Sequence, residues 1–121
     1  MIVHQTNCVT RGHAAGIAAA IFERFPHADC YSDRTEPSWP GTIDVRGDAT
    51  HRVVVNAHAQ YYPGKPATAE IDNAERRLRY FRFCLASLVD HISAMSRRVV
   101  SVAFPASEDW MWASRGQLER L

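Results

Sequence analysis

The residues whose types and spacing could do chemistry stand near the start of the chain, between Asn7 and Gly16. The apolar pair Ile2 and Val3 leads into polar residues that end in Asn7, and Gly12 marks a turn before an alanine-rich segment. A strand, a polar loop and a helix N-terminus are the usual way in which an α/β protein offers backbone N–H groups to an anion. We therefore expect a phosphate-bearing small molecule to bind here.

Each of these residues has a chemical reason to be there. The Asn7 amide can donate to and accept from ribose hydroxyls, although a cap or turn role is the alternative. Gly12 and Gly16 allow a close approach of backbone to ligand, and for Gly16 close helix–sheet packing is the alternative. A helix that begins near His13 directs its partial positive charge at phosphates. His13 itself has the pKa range of an acid–base catalyst, unless it is only a surface residue at the helix start.

Composition excludes several classes of partner. The chain has 121 residues with 14 basic and 13 acidic side chains, which indicates one domain and argues against a nucleic-acid surface. Its three cysteines form no C-x-x-C pair and its six histidines are scattered, so we expect neither a disulfide framework, nor a bound metal, nor a cofactor. The absence of a long apolar run predicts no membrane span, and a reduced, cytoplasmic setting.

The elements that must position these residues follow from hydrophobic periodicity. Residues 2–5 are typical of a buried strand, and residues 13–25 of a helix that ends at Pro26. Residues 42–46 and 53–55 predict two strands of a hairpin that turns at Gly47-Asp48, the second of them central in the sheet.

The second half of the chain contains the longest periodic signal. Apolar residues recur every three or four positions over residues 69–95, which predicts an amphipathic helix capped by Thr68, with Asp72 and Arg76 paired along it. Residues 99–104 predict a strand, and a short helix follows from about Trp110. This order implies a single domain over residues 1–121, a three-layer α/β/α sandwich around a small mixed sheet.

Several pieces of the sequence, taken in this order, resemble the macro domain family, in particular the small branch similar to terminal ADP-ribose protein glycohydrolases and to phage and bacterial macro-like domains. The pieces cover most of the chain: His4-Gln5-x-Asn7-Cys8, Gly12-x-Ala14-Ala15-Gly16-Ile17-Ala18, Phe25-Pro26, Pro40-Gly41, Val55-Asn56-x-x-x-Gln60, Pro63-Gly64-Lys65-Pro66, Asp72-x-x-x-Arg76, Tyr80-Phe81 and Ala103-Phe104-Pro105.

The resemblance implies recognition of ADP-ribose, of a derivative of it, or of an ADP-ribosylated substrate. The ligand-binding residues that it implies are Asn7, Gly12, Ala14, Ala15, Gly16, Ile17, Gln60, Tyr61 and Phe104. Any catalysis that it implies is hydrolysis of an ADP-ribosyl linkage, with water activated by His13 or by the phosphate of the substrate. Asp109 is the matching acid, unless it is only an acid in the first turn of the last helix. Tyr61 is the candidate for an adenine contact.

The sequence departs from the family where the chemistry is concerned. The family usually has a glycine-rich phosphate loop after its last strand, whereas here Phe104 runs almost directly into Asp109 and Trp110. The glycohydrolases use a lysine on the strand matching residues 53–60, and this strand has none. The alternative to an ADP-ribosyl hydrolase is therefore a non-catalytic binding or protein-interaction module, with Trp110 and Trp112 in the interacting patch. A hydrolase of other nucleotides or phosphates on the same α/β plan is a third reading.

Overall fold

The computed structural model describes residues 1–66, 68–95 and 101–105. Within them the chain forms a small mixed α/β domain with a three-stranded sheet and two α-helices. The α/β class predicted from the sequence is confirmed at this level. The elements in chain order are β1 (Ile2–Asn7), α1 (Gly16–Arg24), a 3₁₀ turn (Pro26–Ala28), β2 (Ile43–Arg46), β3 (Val54–Gln60) and α2 (Ala74–Ala94).

The sheet has β3 at its centre, in the order β1-β3-β2. β1 and β3 are parallel, and β2 and β3 form the antiparallel hairpin predicted from the sequence. The hairpin depends on Gly47, which has φ +117°, because a Cβ at this position would clash with the backbone of Arg52. The central position predicted for the β-branched run is confirmed, although β3 continues to Gln60.

The segment 101–105 lies beside β1 in parallel orientation. The Val3 N–H donates to the Ala103 carbonyl at 2.9 Å, and the Ala103 N–H donates to the Met1 carbonyl at 3.0 Å. This pairing agrees with the described part of the strand predicted over residues 99–104. The helix predicted from Trp110, together with Asp109, lies outside the described residues.

Both helices begin later than periodicity predicts. α1 begins at Gly16 rather than at His13, because the preceding loop is tied to another one: the Gly12 N–H donates to the Tyr31 carbonyl at 3.0 Å. α2 begins at Ala74, and its cap is Asn73 instead of Thr68.

The pairing predicted for Asp72 and Arg76 is wrong. Asn73 Oδ1 accepts from the Arg76 N–H at 2.8 Å, which places the helix start just after Asp72. Asp72 is therefore not on the helix at all, and its carboxylate pairs with Arg77 instead.

The core consists of two clusters that share β3. Val55, Ala57 and Ala59 pack with Val3 against Cys84 and Leu88 of α2. Val54 belongs to a second cluster with Ile21 and Phe22 of α1, together with Ala28, Cys30 and Tyr31. Because side chains alternate along a strand, the two helices cover different faces of β3. No helix in the described part of the chain is long and apolar enough to cross a membrane.

Candidate functional site

A cleft of about 450 Å³ lies where the parallel strands β1 and β3 end, at Asn7 and Gln60. This is the position at which open α/β sheets usually bind ligands. The volume is within the range of small-molecule sites, about 300–1,000 Å³. The described residues that line it are Gln5, Asn7, Thr10, His13, Ala15, Gly16, Ala18, Tyr31, Gln60, Pro63 and Gly64.

The N-terminus of α1 opens onto this cleft. Its cap residue, Ala15, has no side chain that can accept from the helix, and the first turn contains no acidic residue. The backbone N–H groups of the first turn are therefore without a side-chain partner and carry the positive end of the helix dipole. Gly16 has φ +59°, and an added Cβ would meet nothing within 4 Å. The helix start thus faces open space and can accept an anion.

Amide side chains join the ends of the two parallel strands beside this helix start. Gln5 Nε2 donates to Gln60 Oε1 at 2.5 Å, and Gln60 Nε2 donates to the Tyr62 carbonyl at 2.8 Å. These bonds fix which end of each amide is the donor. The cleft therefore has a neutral polar border at the strand ends.

Asn7 shapes the loop that leads from β1 to α1. Its Oδ1 accepts from the Val9 N–H at 3.0 Å and from the Thr10 N–H at 2.7 Å, while its Nδ2 donates to Thr10 Oγ1 at 2.8 Å. This is the turn role that the sequence left as an alternative. One hydrogen of Nδ2 is left over for a ligand, so the ribose contact of Asn7 stays a prediction.

A buried arginine supports the same loop from behind. Arg34 Nη1 donates to the Thr10 carbonyl at 2.9 Å, and its Nη2 donates to the Asn7 carbonyl at 2.9 Å. Arg34 forms no ion pair with a carboxylate among the residues that the structure describes. Arg34 therefore fixes the backbone of two residues of the cleft lining, and its charge also acts on the carboxylate of Asp33.

The opposite wall, which contains Gly64, is held by a buried ion pair. Arg77 donates from Nε to Asp72 Oδ1 at 2.5 Å and from Nη2 to Asp72 Oδ2 at 2.8 Å. Its Nη1 also donates to the Gly64 carbonyl at 2.7 Å, and Asp72 Oδ2 accepts from the Tyr62 N–H at 2.9 Å. The side chains of Asp72 and Arg77 are 0% and 4% exposed. Both charged side chains thus hold this wall in place, and neither of them lines the cleft.

The face of the sheet towards α1 carries buried polar side chains. His4 Nε2 lies 2.5 Å from Asn56 Oδ1, while Asn56 Nδ2 donates to the Ala28 carbonyl at 2.8 Å and to Asp44 Oδ2 at 3.1 Å. Because both hydrogens of Nδ2 are used, Oδ1 is the acceptor and His4 Nε2 carries the proton. His4 Nδ1 is buried without a hydrogen-bond partner.

Burial keeps the two histidines of this face neutral. It lowers the pKa of His4 to about 4, against a smaller opposing effect of the Asn56 hydrogen bond. Burial likewise lowers the pKa of His58 to about 4, with the Arg34 charge acting in the same direction. His58 Nδ1 lies 2.7 Å from Thr6 Oγ1. These residues are structural and are not acid–base groups at neutral pH.

The structure brings five of the predicted site residues together in the cleft: Asn7, His13, Ala15, Gly16 and Gln60. His13 is exposed at the rim. Its imidazole is the histidine side chain of the described lining.

Five other predicted ligand residues lie elsewhere. Ala14 and Ile17 pack against the α1 core cluster, and Gly12 is exposed in the loop that Tyr31 holds. The Tyr61 ring packs edge-to-face on Tyr62, with centroids 4.8 Å apart. Phe104 is 46% exposed and is not among the lining residues. Asp109 lies outside the described residues.

Sequence reasoning missed six lining residues: Gln5, Thr10, Ala18, Tyr31, Pro63 and Gly64. Gln5 and Gly64 belong to pieces that carry the family resemblance, so their position in those pieces was an available signal. The sequence contained no signal for Tyr31, because this residue lies in a loop 24 residues after Asn7 and belongs to no periodic pattern. Its hydroxyl accepts from the Asn7 N–H at 2.9 Å.

No group of three or more histidine, cysteine or acidic side chains within the described residues could hold a metal ion. Comparison with known proteins gives no match to a family model, to a curated protein or to a solved structure.

Proposed function

We propose that this chain binds ADP-ribose or an ADP-ribose derivative in the cleft between β1, β3 and α1. The observation that carries the proposal is the N-terminus of α1, which is uncapped, free of acids and open to the cleft. A diphosphate placed there would accept from the first-turn N–H groups and would lie at the positive end of the helix dipole.

Two features of the cleft support an anionic, hydroxyl-rich ligand. The described lining offers amide and hydroxyl groups from Gln5, Thr10 and Gln60 but no carboxylate, so it has hydrogen-bonding capacity without repelling phosphate. Arg34 fixes the loop that carries part of this lining. Ribose hydroxyls suit such a lining because they both donate and accept.

The resemblance to macro domains narrows the ligand from a phosphate compound to ADP-ribose. Its motif residues Asn7, Gly16 and Gln60 meet in one cleft. The proposed three-layer α/β/α arrangement is supported by the alternation of β3 side chains between the two core clusters. Hydrolysis of an ADP-ribosyl linkage would be a further step, for which His13 is the described acid–base candidate.

The test is calorimetric titration with ADP-ribose, using Gly16→Val and the matched control Gly12→Val. Both glycines have positive φ and open space around an added Cβ, so both variants carry similar backbone strain, but Gly16 alone of the pair lines the cleft. We expect Gly16→Val to weaken binding by at least about tenfold, equivalent to about 1.4 kcal/mol, and Gly12→Val to bind nearly as the wild type does.

Two outcomes would overturn the proposal: no binding by the wild type at millimolar ADP-ribose, or equal losses in the two variants. Titrations with AMP and inorganic phosphate test the ligand class, since a pure phosphate site would bind them comparably. Release of ADP-ribose from an ADP-ribosylated protein, abolished by His13→Ala without loss of ADP-ribose binding, would identify the chain as a hydrolase. Binding without release would identify a recognition module.

A further inference from the structure

Tyr31 contributes to the cleft although its side chain is almost entirely buried. It is 4% exposed and belongs to the cleft lining. Its ring packs edge-to-face on Phe22, with centroids 5.4 Å apart, and the guanidinium carbon of Arg34 lies 5.2 Å from the ring centroid. Its hydroxyl lies 2.9 Å from the backbone nitrogen of Asn7, another lining residue. The ring thus belongs to the core, and the hydroxyl is the end of the side chain that reaches the cleft.

The hydrogen of this hydroxyl has no acceptor among the residues that the structure describes. The Tyr31 oxygen accepts from the Asn7 N–H, but a tyrosine hydroxyl can also donate one hydrogen bond. The hydroxyl of Tyr80, the other largely buried tyrosine, does donate: it binds the Ile71 carbonyl at 2.9 Å. Buried polar groups are nearly always paired. The Tyr31 hydrogen is therefore available to an acceptor that enters the cleft.

The Tyr31 hydroxyl keeps this hydrogen at neutral pH. Burial raises the pKa of Tyr31, and this effect exceeds the opposing effects of the Asn7 hydrogen bond and the Arg34 charge. Donation from the Asn7 N–H to the phenol oxygen also polarises the O–H group, which makes it a stronger donor. Because the oxygen already accepts one hydrogen bond, the hydroxyl suits a ligand atom that only accepts, such as a phosphate oxygen.

The start of α1 supplies further donors to the same cleft. Ala15 and Gly16 both line it, and no acidic residue lies in the first turn of the helix. Tyr31 also positions this helix start, because its carbonyl accepts from the Gly12 N–H at 3.0 Å in the loop before α1. One residue therefore holds the loop with its carbonyl and offers a donor to the cleft with its hydroxyl.

We propose that the Tyr31 hydroxyl is a ligand-binding group, which donates to a phosphate oxygen held at the N-terminus of α1. Hydrogen bonds to a charged acceptor are about twice as strong as those between neutral groups, so this donor favours phosphate compounds over uncharged sugars. The inference rests on the proposed function for the position of the ligand. It requires only a phosphate group there, and not the remainder of ADP-ribose.

Calorimetric titrations with inorganic pyrophosphate and, separately, with ADP-ribose test the inference. Tyr31→Phe should weaken the binding of both ligands by the same factor, at least about tenfold, as expected for the loss of a hydrogen bond to a charged group. Tyr80→Phe is the matched control, because it removes the same atom from a largely buried tyrosine that does not line the cleft. The Tyr80 variant should bind both ligands as the wild type does.

A second replacement separates ligand binding from a purely structural role, because Tyr31→Phe also deprives the Asn7 N–H of its acceptor. Replacement of Tyr31 by 3-fluorotyrosine keeps the hydroxyl but makes it more acidic, and therefore a stronger donor and a weaker acceptor. At a pH below the pKa of both phenols, we expect tighter pyrophosphate binding than in the wild type. If the hydroxyl only supported Asn7, binding would be unchanged or weaker. Circular dichroism and the melting temperature confirm that each variant is folded.

The outcomes distinguish this inference from the proposed function. Equal pyrophosphate binding by the wild type and Tyr31→Phe would overturn the inference, as would unchanged or weaker binding by the fluorinated protein. A loss confined to ADP-ribose would assign the hydroxyl to a sugar and overturn the phosphate contact. A wild type that binds no pyrophosphate at millimolar concentration would also overturn it. If the wild type bound pyrophosphate through Tyr31 but did not bind ADP-ribose, the inference would stand and the proposed function would be wrong.

Discussion

The two faces of the sheet are equally buried, but only the face towards α1 adds several buried polar side chains to its apolar contacts. Towards α2, β1 and β3 present Val3, Val55 and Ala57, and the face is filled by aliphatic side chains. Towards α1, the same strands present polar residues that are no more exposed: His4, Thr6, Asn56 and His58. One strand thus alternates between a hydrophobic core and a polar network.

This difference in composition indicates the structural role of each face. An aliphatic face stabilises the fold in proportion to the area it buries, whatever the detailed geometry of its contacts. The polar face fixes geometry instead: Asn56 alone joins β1 to the Ala28 carbonyl and to Asp44 of β2. The cleft lies with α1, where hydrogen bonds specify the position of the loops. We expect acid and side-chain truncation to lower the free energy of unfolding by different amounts on the two faces.

The largest effect should come from acid. The pKa values of His4 and His58 are lowered to about 4 in the folded chain, against about 6.5 when unfolded. The unfolded state therefore binds more protons between these values. Stability is fully present above pH 6.5 and is lost as pH falls towards 4. Between pH 7 and pH 5 we expect urea titrations to lose about 2 kcal/mol of unfolding free energy for each histidine.

The variant His58→Gln separates this effect from the rest of the molecule. It removes one of the two titrating groups and should reduce the loss between pH 7 and pH 5 by about half, since the pKa values of His4 and His58 are lowered to a similar extent. An undiminished loss would show that His58 is not a source of the acid sensitivity.

Truncating a side chain of the polar face should cause the second-largest loss of unfolding free energy. Asn56→Ala leaves the His4 Nε2–H and the Ala28 carbonyl buried without partners, and each such group costs about 1–3 kcal/mol. We expect a loss of about 3 kcal/mol of unfolding free energy by urea titration. His4→Ala in the same background should cost less than it does alone, because the two side chains are partners. If the losses of unfolding free energy from His4→Ala and Asn56→Ala were strictly additive, the two side chains would not be partners in one network.

Truncating a side chain of the aliphatic face should cause the smallest loss of unfolding free energy. Val55→Ala, at the adjacent position of the same strand and equally unexposed, removes two methyl groups. Transfer and cavity effects together predict a loss of about 2 kcal/mol by urea titration. Binding of the proposed ligand, ADP-ribose, should not change, because Val55 packs towards α2. If Val55→Ala lost more unfolding free energy than Asn56→Ala, the expected order of the two faces would be wrong.

Much of the fold could be predicted where the physics is local. The β-branched run at Val54 and Val55, the glycine turn at Gly47 and the long apolar period of α2 each depend on neighbouring residues. The helix starts were misplaced because they depend on distant partners. Tyr31 holds the loop before α1, and the ion pair with Arg77 keeps Asp72 outside α2.

The candidate site was predictable only in part. Asn7 and Gly16 were found because a polar loop before a helix is a local signal. Tyr31 and Arg34 were not, because their roles arise from contacts that span 24 to 27 residues. The polar residues of β3 were also unforeseen, since Asn56 and His58 in a strand suggest exposure until their partners on β1 are known.

By itself, the sequence determined the α/β class and most of the local elements, because periodicity and turns are short-range properties. Tertiary structure alone decided which polar groups are satisfied. It paired His4 with Asn56 and Asp72 with Arg77, and it left the start of α1 open to a cleft. A polar group's energy depends on whether its partner is in reach, and in this chain the partners come from distant segments.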